Sequence, residues 1–99
     1  MAVGLRIKLP GVKAEEFDRV DALIDVRGNH PAGLISSASG PVEDGWRVID
    51  VWESRAHFDA FAAQRIGPAV AAAGVSARPD VAEFPVHEYL SRASDSAKE

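Results

Sequence analysis

The 99 residues include no cysteine, which removes disulfide staples and thiolate metal sites from consideration. Long apolar runs are also missing, and none approaches the roughly 20 residues of a membrane-spanning helix. The opening MAVGLRIKLPG has no apolar segment followed by a cleavage site. Together these absences predict a cytoplasmic protein with no membrane partner. There is no basic stripe either: 11 Lys and Arg are outnumbered by 15 Asp and Glu, for a net charge of −4. That balance argues against a nucleic-acid partner. The three histidines, His30, His57 and His87, form no HxH or HxxxH pair, so no metal site is expected. Ser36, Ser37 and Ser39 occur without a nucleophile elbow, and the glycines are too scattered to cradle a phosphate. The expectation is no cofactor, so any chemistry must rest on pocket shape and ordinary polar side chains.

What is present is 46% apolar residues in a chain with room for one domain. A chain this short buries only roughly 60 to 70% of the surface its unfolded form exposes, and a partner subunit is the natural supplement. Residues 3 to 9 alternate, with Val3, Leu5, Ile7 and Leu9 on one face and Arg6 and Lys8 on the other, which predicts a strand stopped by Pro10 and Gly11. From Lys13 to Ile24 the apolar positions Phe17, Val20, Leu23 and Ile24 recur three and four apart, with acids in the first turn, as in an amphipathic helix. Asp25 to Pro31 reads as a loop, in which Gly28 and Asn29 are the residues able to take positive φ.

Gly33 to Gly40 is read as a short strand, Pro41 to Gly45 as a hairpin turn and Trp46 to Trp52 as the strongest strand. Ser54 is a good N-cap for a second helix carrying Phe58, Phe61, Ile66 and Val70. That helix should kink or break near Gly67 and Pro68 and stop at Gly74. Val81 to Leu90 is read as a last strand, with Pro85 at an edge position or bulge, and Ser91 to Glu99 as a disordered tail. The expected organisation is thus one domain over residues 1–90 and a tail over 91–99.

The resulting order, β-α-β-β-α-β, is the ferredoxin-like α+β arrangement: a four-stranded antiparallel sheet with two helices on one face. The third strand is apolar on both sides, with Trp46, Val48 and Trp52 on one and Ile49 and Val51 on the other. Two helices cover only one face, so the other needs a cover. Pairing the sheets of two identical chains would supply it, and a homodimer follows from burial alone.

The segment WRVIDVWESRAHFDAFAAQRIGP, Trp46 to Pro68, resembles the strand-helix signature of the dimeric α+β barrel superfamily, in its antibiotic biosynthesis monooxygenase-like branch. The matching features are an acid two residues before an aromatic at the strand end, then a small N-cap and a phenylalanine-bearing helix: Asp50, Trp52, Ser54 and Phe58. Length and element order agree over about residues 2 to 90. The resemblance implies sheets paired in a dimeric barrel and an apolar ligand pocket between sheet and helices. It also implies chemistry such as that of cofactor-independent oxygenases, cyclases and isomerases. The oxygenases of aromatic polyketides take a proton from a phenolic substrate and let its carbanion reduce dioxygen, without metal or flavin. The haem-degrading members use an asparagine, a tryptophan and a histidine at positions that fall near Gly4, Phe61 and Ala71, and this chain keeps none of them.

Several residues are candidates for a site within that frame. His30, beside the rigid Pro31, is a candidate acid or base because histidine is the residue type suited to proton transfer near neutral pH. Arg6 could stabilise developing negative charge or pair with an acid. Asp50, among apolar neighbours, is either a general base with a raised pKa or an ion-pair partner of Arg6 or Arg47. Trp46 and Phe61 could wall a pocket for a small hydrophobic or aromatic ligand. His87 and Tyr89, on one face of the last strand, could bind a substrate oxygen or bond across a dimer interface. His57 is read as solvated on the polar side of its helix. Two functions follow: an enzyme acting on an aromatic or polyketide-like molecule, with His30, Arg6 and Asp50 in catalytic roles, or a non-catalytic ligand-binding or accessory dimer.

Overall fold

The computed structural model describes residues 2–92. The expected 91–99 tail therefore lies almost wholly outside the described residues. The alternating first segment forms β1, Val3–Pro10, and the amphipathic stretch forms α1, Ala14–Ile24. Next come β2, Leu34–Val42, and β3, Gly45–Trp52. The second helical rod consists of α2, Arg55–Phe61, a π-helical turn, Ala62–Ile66, and α3, Gly67–Ala73. The last strand is β4, Asp80–Pro85. The strands form one antiparallel sheet in the order β2-β3-β1-β4, so the expected ferredoxin-like βαββαβ fold is the observed one. No helix among the described residues is long and apolar enough to cross a membrane.

Local chemistry sets the ends of these elements. The Lys13 backbone N–H donates to Glu16 at 3.0 Å, satisfying one otherwise orphaned amide at the start of α1. The Ser54 hydroxyl accepts from the His57 backbone N–H at 3.2 Å, the N-cap expected of it. Gly74, at φ +70°, closes α3 in the left-handed conformation. The loop after α1 differs from expectation: Asp25, not Gly28 or Asn29, takes the positive φ, at 54°. Asp25 affords this because its side chain receives the Gly28 N–H at 3.1 Å and its carbonyl the Asn29 N–H at 2.9 Å.

Where a kink or a break was expected near Gly67 and Pro68, a π turn interrupts the α-helical pattern and separates α2 from α3. The Gly67 N–H donates to the Ala62 carbonyl, five residues back. Pro68 has no N–H, and its ring would strike the carbonyl four residues earlier in a regular α-helix. One π turn relieves that clash and lets the rod continue. The hairpin is tighter than expected: β2 runs on through Pro41 and Val42, leaving Glu43 and Asp44 as the turn. Conversely, β4 stops at Pro85 rather than reaching Leu90. Val86 adds one more bond, its N–H to the Ala2 carbonyl at 2.9 Å, but the partner strand β1 begins at Val3 and offers nothing beyond.

Register decides which side chains meet. Val3, Leu5, Ile7 and Leu9 of β1 stand opposite Trp52, Asp50, Val48 and Trp46 of β3, all directed toward the helices. The core there consists of Leu5, Ile7, Trp52 and Phe58, with Val48, Phe61, Ala62, Ile66 and Val81 packed around it. Leu5 and Trp52 are fully buried. The other face has no helix. It carries Ile49, 42% exposed, and Phe84, 52% exposed, together with Val51, Ala38 and Ala82 in the alternate positions of the same strands. The Phe84 ring lies directly over Gly4, where a Cβ would fall 2.2 Å from it.

Candidate functional site

Asp50 is the one charged residue buried among the described residues, at 6% exposure. It faces the helix side with Leu5 beside it on β1, and the aromatic core built on Trp52 begins two residues further along β3. The Trp52 indole N–H donates to one carboxyl oxygen, Oδ2, at 3.0 Å. The other, Oδ1, is buried with no hydrogen-bond partner. Burial pushes the Asp50 pKa above its ordinary value, and the Ser37 hydroxyl and the Trp52 N–H oppose the rise. Ser37 stands opposite Asp50 on β2, although Oδ1 closes no hydrogen bond of ordinary geometry with it. A carboxyl in this setting can take up or give a proton in an apolar surrounding.

Trp52 ties this carboxyl to the helices. Its ring meets Phe58 edge-on at 5.7 Å and Phe61 at 5.2 Å. Phe61 in turn lies under the Arg65 guanidinium at 5.2 Å. Arg65, within the π turn, donates to the Ile24 and Asp25 carbonyls at the end of α1. It thus links both helical segments above the site, with its positive charge at a helix C-terminus where the dipole favours it. Phe61 therefore sits beside Asp50's partner Trp52.

The other candidates are dispersed. Arg6 stands opposite Ile49, one register position from the Leu5–Asp50 pair, and so on the uncovered face. Alternation along a strand reverses side-chain direction at each residue, which means Asp50 neither orients Arg6 nor pairs with it or with Arg47 within this protomer. His30 is exposed and holds its Nε2 at 2.9 Å from the Leu34 carbonyl. A carbonyl only accepts, so Nε2 is the donor in this contact. Trp46 stacks on Phe17 at 5.0 Å and lies six residues before Trp52 on β3, roughly 20 Å along the strand at about 3.3 Å per residue. His87 and Tyr89 follow the end of β4 and are exposed, so neither projects from the strand that was to align them. His57 is exposed, with its Nδ1 2.7 Å from the Ser54 hydroxyl.

Two clefts are open on the surface. One, of about 420 Å³, lies between the start of α1 and the hairpin and is lined by Val12, Lys13, Pro41, Glu43 and Trp46 among others. The second, of about 290 Å³, lies between α1 and α3 and is lined by Leu23, Ile24, Arg65, Pro68, Ala69 and neighbours. Asp50 is not among the residues that line either one. Sequence reasoning named Asp50 but not Ser37 as its neighbour. The missing signal is a β-bulge between Leu34 and Ser36 that sequence alternation does not reveal.

No family profile matches the chain, and no curated protein does. Solved structures do. A candidate antibiotic biosynthesis monooxygenase of Caulobacter crescentus CB15 superposes with a TM-score of 0.67 at 20% identity, covering 88% of this chain and 91% of its own. The N63A variant of SnoaB, a cofactor-independent oxygenase from Streptomyces nogalater, gives 0.62 at 16% identity, covering 90% and 96%. A dimeric ferredoxin-like protein of unknown function from Jannaschia sp. CCS1 gives 0.63 at 17% identity, covering 87% and 100%. These matches run nearly end to end in every case, and with the observed strand order they identify the architecture: the chain has the ferredoxin-like α+β fold that these proteins share.

Proposed function

We propose that this protein is a homodimeric small-molecule enzyme in which Asp50 transfers a proton to or from a hydrophobic, aromatic or polyketide-like ligand held between sheet and helices. The observation that carries the reading is the buried Asp50 carboxyl, with Oδ2 fixed by Trp52 and Oδ1 unpaired. Leaving such an oxygen unsatisfied costs stability, and a ligand hydroxyl is the kind of group that would satisfy it. The fold shared with a cofactor-independent oxygenase supports the reaction class. In that chemistry Asp50 removes the proton of a ligand O–H. The resulting anion shares its electron pair with a ring carbon, which forms a bond to dioxygen. Asp50 returns its proton to the peroxide anion so formed, and loss of water from the hydroperoxide, with the hydrogen of the oxygenated carbon, leaves a quinone. The apolar wall of Trp52, Phe58 and Phe61 would exclude bulk water from the anion.

The homodimer reading rests on the uncovered apolar face with Ile49, Val51 and Phe84 and on a dimeric neighbour of the same fold. A second reading, a ligand-binding or accessory dimer without turnover, is favoured by one observation: neither open cleft reaches Asp50. Thermal-shift screening against aromatic polyketides, quinols and flavins, followed by oxygen uptake on each hit, separates the two. Oxygen consumption by the wild type that falls at least a hundredfold in Asp50→Asn supports the enzyme. Stabilising ligands that are neither consumed nor converted support the accessory dimer.

A further inference from the structure

The edge strand β2 is irregular at one point. Leu34 pairs with Trp52 and Ser36 with Val51, so Ile35 is an extra residue, a β-bulge that shifts the register of everything after it. From there Ser37 stands opposite Asp50 and Ser39 opposite Val48, both on the helix side of the sheet, while Ser36 and Ala38 go to the other face. Helix-side positions on β1 and β3 are buried or half-buried, yet Ser37 and Ser39 are exposed. The helices therefore leave the helix side of β2 open to solvent, and Asp50 lies one strand, about 4.8 Å, inward from that opening. Elsewhere the carboxyl is enclosed by Leu5 and Trp52, which are fully buried.

Resting on the function proposed above, we propose that Ser37 is the ligand-side partner of Asp50, binding the ligand oxygen at a mouth over β2 and relaying its proton to Asp50 Oδ1. The step balances. The ligand O–H bond breaks as its proton passes to Ser37 Oγ, the original Ser37 proton passes to Asp50, and the negative charge moves from the carboxylate to the ligand. Ser37 ends as the neutral hydroxyl it began as. It is a binding and relay residue rather than a nucleophile, consistent with its place in a strand without a nucleophile elbow. The Ser37 hydroxyl already lowers the Asp50 pKa in the free protein, so the two groups sense one another before any ligand arrives. The other groups facing Asp50 do not compete for the role. Along its cross-strand row the next charged residue is Glu83 of β4, beyond Leu5, and its carboxylate is held by Arg55 of α2 at 2.7 Å. From the helical rod, Phe58, Phe61, Ala62 and Ile66 present only apolar surface, and the Arg65 guanidinium is engaged with the end of α1.

The test is carbon-13 NMR titration of the Asp50 carboxyl in the full-length protein and its Ser37→Ala and Ser37→Thr variants, together with binding of 1-naphthol and of naphthalene. The expected result is an upward move of the Asp50 midpoint in Ser37→Ala and its return in Ser37→Thr. Affinity for 1-naphthol should fall about tenfold in Ser37→Ala, the equivalent of about 1.4 kcal/mol for one hydrogen bond, with naphthalene binding unchanged. An unmoved midpoint in Ser37→Ala overturns the pairing itself. A moved midpoint with equal loss of both probes, or no loss of either, overturns the ligand-side role. If Ser37 passes both tests while Asp50→Asn leaves turnover intact, it is the proposed function that fails and not the pairing.

Discussion

Replacing Trp52 with phenylalanine separates the two things the indole does, filling the core and holding the Asp50 carboxyl. Trp52 is fully buried and lies between Phe58 at 5.7 Å and Phe61 at 5.2 Å, so phenylalanine keeps one aromatic ring in place and leaves a small void. Large-to-small changes of that size cost about 1–2 kcal/mol. The change also removes the 3.0 Å hydrogen bond to Oδ2. Since Oδ1 already lacks a partner, the carboxyl would then be buried with neither oxygen bonded, at a further cost of about 1.5–3 kcal/mol. The sum, about 2.5–5 kcal/mol, is a large part of the roughly 5–15 kcal/mol that holds a domain folded. Urea unfolding at fixed protomer concentration measures it as a fall in midpoint at constant slope. The charge-dependent share of that hydrogen bond is then isolated by repeating the substitution in Asp50→Asn, whose amide oxygen still accepts the indole N–H without a charge to solvate. In that background the loss should shrink by about 1 kcal/mol or more. A total loss below about 1 kcal/mol, or equal losses in both backgrounds, would refute the claim that Trp52 and Asp50 form one unit.

The raised pKa of Asp50 makes a signed prediction. Between the ordinary carboxylate range and the raised folded value, the folded protein keeps a proton that the unfolded chain has released, so stability falls as pH rises across that window. Urea midpoints in the wild type should show this fall, and Asp50→Asn should flatten it; a wild-type curve that rises there with a matching Asn curve contradicts the burial argument. Gly33→Ala should destabilise by about 1–3 kcal/mol, because Gly33 sits at φ +86° and an added Cβ would lie 2.4 Å from the His57 ring; thermal melts measure the loss. Arg65→Met keeps most of the stem over Phe61 but frees the carbonyls at the end of α1, for an expected loss of about 1–2 kcal/mol by urea unfolding. Ile49→Lys places a charge on the uncovered sheet face, and light scattering after size exclusion should show the dimer shifting to monomer with the subunit fold retained by circular dichroism.

The elements most legible in the sequence were those whose signal is local. Alternation over Val3 to Leu9 and the β-branched and aromatic run Trp46 to Trp52 marked the two central strands, and Ile49 and Val51, on the face opposite Trp46, Val48 and Trp52, marked a sheet face in need of a cover. Caps at Ser54 and Gly74 were read from residue type alone because their physics involves only adjacent backbone. The failures share the opposite property. The end of β4 at Pro85 depends on where β1 begins, since a strand lasts only as long as its partner. The interruption near Gly67 and Pro68 was legible, but its form as a π turn was not, since that depends on a clash between Pro68 and a carbonyl four residues away. Arg6 and Asp50 were joined as possible partners because their types suit one another, but a single step of register puts them on opposite sides of the sheet.

Ser37 shows the same limit at the site itself. In a regular antiparallel pairing from Leu34 and Trp52, Ser36 would oppose Asp50 and Ala38 would oppose Val48. The bulge at Ile35 moves each of these assignments by one residue. The serine-rich composition of β2 therefore ensured a hydroxyl beside Asp50 in either register, but only the bulge selects which hydroxyl and puts Ser39 next to it on the same exposed edge. A Ser36→Ala variant should accordingly leave the Asp50 titration as it is in the wild type, whereas Ser37→Ala should move it. If the two variants behaved alike, the register observed here would not be the one that governs the carboxyl in solution.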